Sequence, residues 1–144
     1  MPHHLLIMLP PSPYQKLANC VWLSRIIGKA RLIARGQLPE EFVSRFCHPG
    51  GVDGQFLKHF QFNREQILAT GRMNDEEVEA WFLAEPSVTA ETIAQWNHTA
   101  INLGRPGYPM EDRLQIGLTT IYQHLAGQGF ETVFEVLCAD DESI

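Results

Sequence analysis

The chain of 144 residues reads as an all-α protein: a compact single-domain bundle of six to eight helices, the first long and the central ones short. Three observations predict this. Apolar residues recur at helical spacing over most of the chain. A device that opens helices, a capping side chain between two apolar residues, repeats four times. Clean alternation of apolar and polar residues over five or more positions, the mark of a half-buried strand, is hard to find. With 44% apolar residues, a chain of this length buries about two-thirds of its unfolded surface in one core.

In chain order, residues 1–12 read as an extended N-terminal segment. Met1 to Leu9 carries no Lys or Arg and only a short apolar run before Pro10 and Pro11. That is too short and wrongly flanked for a signal peptide. From Pro13 to Arg35, winding at about 100° per residue gathers Cys20, Trp22, Leu23, Ile26, Ile27, Ala30, Ile33 and Ala34 into one broad arc, the pattern of a helix half sunk in a core. Ser12 and Pro13 suit its start, and Gly36 with Pro39 its end. On its other face the sequence predicts two cationic edges, Arg25 with Lys29 and Arg31 with Arg35.

Four helix starts follow: Val52-Asp53-Leu57, Phe62-Asn63-Ile67, Met73-Asn74-Val78 and Val88-Thr89-Ile93. In each the middle residue is expected to cap the first turn while the apolar pair forms a staple. Gln66 and Glu77 stand where a capping box needs them. Gly71 and Pro86 separate these short helices. Residues 104–109, Gly-Arg-Pro-Gly-Tyr-Pro, form a loop before a C-terminal helix pair. The first of that pair is carried by Leu114, Leu118, Ile121, Tyr122 and Leu125, and the second by Phe130, Val133, Phe134 and Leu137. Asp140-Asp141-Glu142 reads as a solvated tail.

Charge is divided unevenly. Met1 to Pro39 contains no Asp or Glu but holds Lys16, Arg25, Lys29, Arg31 and Arg35, within a chain of net charge −6. The remainder sets seventeen carboxylates against six cations. The first helix is therefore where an anionic small molecule, an acidic protein surface or the protein's own acidic half is expected to dock. An acidic chain with one small basic footprint does not suit nucleic acid. No stretch approaches the roughly 18 apolar residues of a membrane span. Cys20, Cys47 and Cys138, an odd and widely spaced set, fit a reducing cytoplasm better than a disulfide framework.

Each candidate site has a plainer competing explanation. Arg25 and Lys29, with Trp22 as an aromatic wall, can present donors to a carboxylate or phosphate. Basic side chains at a helix border also lie on apolar neighbours or pair internally, here with Glu76, Glu77 or Glu79. Cys47-His48 joins a thiol to an imidazole, but adjacency along the chain does not by itself place a base on a nucleophile. His48, His59, His98 and His124 with Asp53 or Cys47 match no metal-ligand spacing, and His3-His4 could bind a metal only incidentally. No cofactor is implied. The glycine-rich run 50–54 is read as a demanding connection, because Asp53 opposes an anion there. Trp81 and Trp96 are packing anchors by default, although Trp96-Asn97-His98 could line a pocket.

Taken together, Leu23-x-Arg25-x-Ile27-Gly28-Lys29-Ala30-Arg31, Gly36-x-Leu38, Asp53-x-x-Phe56-Leu57, Asp75-Glu76-Glu77-Val78-x-Ala80-Trp81 and Ile93-x-x-Trp96-Asn97 resemble domain-of-unknown-function family 5069 over roughly residues 13–103. The resemblance implies a small, mostly bacterial, α-helical domain with no assigned activity. It singles out Arg25, Lys29 and Arg31. Where the family pattern has an acid before the lysine, this chain has Gly28, a residue costing about 1 kcal/mol relative to Ala inside a helix. Three functional readings result. The leading one is a helical binding module holding an anion through Trp22, Arg25, Lys29 and Arg31, with Trp96, Asn97 and His98 as a further pocket. The others are an enzyme using Cys47, His48 or the Trp96 region, and a structural homo-oligomer burying the C-terminal helices around Ile121 and Phe134.

Overall fold

A computed structural model describes residues 9–143. His3, His4 and most of the expected extended segment lie outside them. The described residues form eight α-helices and one two-stranded ribbon. The chain begins with β1 (Lys16–Leu17) and β2 (Cys20–Val21), then α1 (Leu23–Ala34), α2 (Glu40–Val43), α3 (Val52–Phe60) and α4 (Arg64–Leu68). It continues through α5 (Asp75–Leu83), α6 (Ala90–Asn102), α7 (Glu111–Thr119), a 3₁₀ turn (Gln123–Leu125) and α8 (Val133–Glu142). The all-α reading stands, with the ribbon as its one addition.

That ribbon corrects the first predicted element. Residues 13–22 are a hairpin, so the helix begins at Leu23 and not at Pro13. The strands pair antiparallel, Lys16 opposite Val21 and Leu17 opposite Cys20. Ala18 and Asn19 between them both take positive φ, 52° and 62°, as a two-residue I′ hairpin turn requires. Cys20, Val21 and Trp22 are buried, so they mimic the start of a helical stripe. Ser12 caps a turn, accepting from the Tyr14 amide at 3.2 Å. The far end of α1 is as expected: Gly36 N donates to Ile33 O at 3.0 Å and Gln37 N to Leu32 O at 2.8 Å, a Schellman closure.

Three of the four predicted caps are present. Asn63, Asn74 and Thr89 each accept from the third amide of α4, α5 and α6 and complete a capping box. The exception is Asp53, which lies inside the first turn of α3 behind Gly51 and turns its carboxylate inward. A fourth box, Thr132 with Glu135, opens α8. The predicted helix through Leu125 stops at Thr119, where the chain turns back and Tyr122 N reaches Gly117 O at 2.8 Å.

The core is aromatic. Phe56, Phe60, Phe62, Phe82 and Trp96 gather between α3, α5 and α6 with ring centroids 5.0–6.5 Å apart. On the other side of α1, Trp22 stacks on Phe134 of α8 at 5.4 Å. Helix α1 thus runs through the middle with both faces covered, and this fixes the surroundings of its basic residues.

Candidate functional site

Trp22, at the N-cap of α1, and Arg25 and Lys29, one turn apart within it, meet the wall of a cavity of about 470 Å³. This corrects the picture of exposed cationic edges, because Arg25 is 1% and Lys29 3% accessible. A buried charge must be paired and hydrogen-bonded, and each has its own carboxylate. Arg25 is held in bidentate fashion by Asp141, Nη1 to Oδ2 at 2.7 Å and Nη2 to Oδ1 at 3.2 Å, and Nη1 also donates to Pro11 O at 3.0 Å. Its Nε is buried with no acceptor among the described residues.

Lys29 Nζ lies 3.2 Å from both oxygens of Asp53 and 5.1 Å from the centre of the Trp22 ring. Asp53 is itself 1% accessible and takes two more donors, Trp22 Nε1 at 2.8 Å and the Cys47 amide at 2.8 Å. Burial lowers the lysine's proton affinity, Asp53 raises it, and the Arg25 guanidinium lowers it again, with a net displacement downward. The dyad is therefore a fixed carboxylate beneath an ammonium that its surroundings incline to give up a proton.

Two further arginines complete the polar side. Arg45, after α2, reaches Asp140 at 3.9 Å, and Asp140 also receives His124 Nε2 at 3.3 Å. The Arg45 guanidinium packs over Phe42 at 5.4 Å and Tyr122 at 5.5 Å. Burial raises the Tyr122 phenol above its ordinary value. Arg113 projects from α7 onto the turn at Gly50, so close that a Cβ there would fall 2.5 Å from its Nη2. It has no carboxylate partner among the described residues. Opposite this polar side the wall is apolar, formed by Val52, Leu114, Val133, Val136 and Leu137.

Of the residues singled out in the sequence, Trp22, Arg25 and Lys29 come together here, and Arg31 does not. Arg31 donates from Nε to Met73 O at 3.2 Å, pairs with Asp75 at 2.9 Å, and lines a separate groove with Arg35 and Arg72. Trp96 and Asn97 hold the hairpin on α6. Trp96 Nε1 donates to Val21 O at 2.9 Å. Asn97 accepts from Val21 N at 2.9 Å and donates to Asn19 O at 2.9 Å, standing in for a missing strand. His98 contacts the Tyr108 hydroxyl at 3.0 Å.

His48 lines the cavity, with its Nδ1 occupied by the Gly50 amide at 2.9 Å. The Cys47 thiol is pushed up to about 12, by burial first and by Asp53 second, so it is a protonated thiol at neutral pH. Among the described residues no three His, Cys, Asp or Glu side chains are placed to hold a metal ion. None of the helices described is long and apolar enough to cross a membrane.

Arg45 and Arg113 are not among the residues that the sequence singles out, and by local pattern Asp53 fits a cap and Asp141 a solvated tail. The pairing of Arg25 and Lys29 with the acidic remainder was expected, but with Glu76, Glu77 or Glu79. The actual partners are Asp141 and Asp53.

The chain belongs to the family described as Domain of unknown function (DUF5069), whose family model matches residues 7–143. No curated protein matches it.

Proposed function

We propose that the cavity beside α1 holds a small molecule with a single anionic head, of carboxylate type, and an apolar body. The observation that carries this reading is the charge balance of the wall. Arg25, Lys29, Arg45 and Arg113 line it, and Asp141, Asp53 and Asp140 offset the first three. One positive charge remains, on Arg113, and the buried Nε of Arg25 lacks an acceptor. Both are relieved by a ligand oxygen. Val52, Val136 and Leu137 give the remainder of such a ligand an apolar bed, in the usual pattern of a few placed polar groups on an apolar pocket.

The test is a melting-temperature titration with small monocarboxylates of increasing apolar size and with inorganic phosphate, in the native chain and in Arg113→Ala. Arg113 is exposed and its loss leaves the core intact. A ligand at about a hundred times its Kd adds about 2.7 kcal/mol, or ~8 °C for a chain of this size. The expected result is a shift for monocarboxylates that Arg113→Ala largely abolishes. No shift with any anion, or equal shifts in both proteins, refutes the reading.

Self-association is the second reading, favoured by Ile116 and Ile121, which stand 57% and 65% exposed at the rim of the same cavity. A partner copy seated there would cover these two side chains. Light scattering that gives a monomer at high concentration removes it.

A further inference from the structure

We propose that Lys29 is a nucleophilic amine which forms an imine with a carbonyl compound in the cavity, and that the compound is a 2-oxo acid. The inference rests on the carboxylate reading above and adds the reacting group. Its first support is residue choice. Every other cation on this wall is an arginine, the side chain that suits a permanent buried ion pair and stays protonated. Lys29 alone among them can release a proton and attack carbon.

Its second support is geometry. Lys29 Nζ sits 3.2 Å from each Asp53 oxygen, longer than the roughly 2.7–2.9 Å of a tight charge-assisted bond. Nζ has no acceptor other than these two oxygens among the described residues. Asp53 is anchored independently by Trp22 Nε1 and the Cys47 amide, so it keeps its place when the amine moves. The groups facing the ammonium are Asp53 from α3, Arg25 from its own helix and Arg45 from the turn after α2. The two guanidiniums and burial favour the neutral amine, and the carboxylate is the base that takes its proton. A 2-oxo acid carries its carbonyl one bond from its carboxylate, and the cavity is lined by both an amine, Lys29, and unoffset cationic donors for the acid.

The step balances without an oxidant. The Lys29 ammonium passes one proton to Asp53, and its nitrogen lone pair forms a bond to the carbonyl carbon while the π pair moves onto oxygen. That oxygen takes the proton held by Asp53 and a second from the nitrogen, and leaves as water. An iminium remains, so ammonium plus carbonyl gives iminium plus water.

The chain contains three lysines, and Lys16 and Lys58 are exposed, which makes the reaction separable by peptide mapping. The native chain is incubated at pH 7 with pyruvate or phenylpyruvate and cyanoborohydride, then digested and mapped by mass. The expected result is a reduced adduct on Lys29 at least ten times more abundant than on Lys16 or Lys58, and absent from Lys29→Arg. No adduct, or one spread evenly over the three lysines, overturns the proposal. If the same compounds still raise the melting temperature in an Arg113-dependent way, the carboxylate site stands without the imine chemistry. If they raise it in neither protein and no adduct forms, both readings fall. A Lys29 adduct with no Arg113 dependence keeps the amine and removes the carboxylate site.

Discussion

Breaking the Lys29–Asp53 dyad from one side, and then from both, tests whether the burial of these charges governs stability. In Asp53→Asn the ammonium of Lys29, 3% accessible, loses its only carboxylate while the shape of the site is kept. An uncompensated buried charge costs about 3–5 kcal/mol. In Lys29→Met the carboxylate keeps its bonds from Trp22 Nε1 and the Cys47 amide, so the loss is smaller, about 2–3 kcal/mol. With both replaced, no charge is stranded, and a polar isostere beside an apolar one costs about 1–2 kcal/mol. The double variant is thus expected to be more stable than Asp53→Asn alone, with a coupling energy of about 5 kcal/mol. Urea titrations at pH 7 followed by tryptophan fluorescence measure all four corners, since Trp22 lies in the dyad itself. If the two single losses add to the double within about 0.5 kcal/mol, the ion pair is not what the fold depends on here.

Asn97→Ala removes two of the hydrogen bonds that hold the hairpin to α6, leaving the one from Trp96, and a loss of about 1–3 kcal/mol is expected. Hydrogen exchange at the Val21 amide then accelerates well beyond that of the α6 amides. Gly28→Ala is expected to destabilise the chain although Ala gains about 1 kcal/mol in a helix, because the new Cβ falls 2.4 Å from Pro11 Cδ. A rise in melting temperature contradicts this. Glu135→Gln should flatten the acid side of the stability curve. Hydrogen bonds from the Glu131 amide and the Thr132 hydroxyl and amide hold the carboxyl below its ordinary 4.5. Its contribution is present above that value and is lost as pH falls through the lower folded one. Melting temperatures between about pH 5 and pH 2 give the comparison, and parallel curves refute it.

Most of the fold was legible because local signals and tertiary structure agree. Asn63, Asn74 and Thr89 stand where a cap must stand, with an apolar staple on each side, and α4, α5 and α6 start at these residues. The hairpin was not legible. Cys20, Val21 and Trp22 face the core, and three consecutive buried residues before a helical stripe look like more helix. The chain instead turns through positive φ at Ala18, Asn19 and Trp22, and its edge pairs with Asn97, some seventy-six positions from Val21. Asp53 misled for a related reason: an Asp between Val52 and a later Leu57 fits the staple pattern, and nothing nearby reveals Lys29 above it. The site was half legible. Arg25 and Lys29 share α1 and Trp22 stands at its N-cap, so nearness along the chain unites them. Arg45, Arg113 and Asp141 join them only through packing of the turn after α2, α7 and α8.

The same three carboxylates that quiet the basic helix also close the fold around it. Asp53 binds α3 to α1, Asp141 binds α8 to α1, and Asp140 binds α8 to Arg45 after α2. A ligand that had to displace the buried Lys29–Asp53 pair would compete with folding itself, since stranding one of its charges costs several kcal/mol. The 3.9 Å contact of the partly exposed Arg45 and Asp140, by contrast, is worth little. Binding in the cavity is therefore expected to use what the pairs leave over: Lys29 Nζ, bonded to Asp53 alone, the Nε of Arg25 and the guanidinium of Arg113. The first two are fixed by the core, and only Arg113 sits on an exposed helix whose one buried side chain is Leu114. Affinity should then respond to Arg113 without change in stability, while substitutions at Arg25 or Lys29 change both together. That split separates a site built into the core from a chance cluster of surface charge, for which stability and affinity would move independently at every one of these residues.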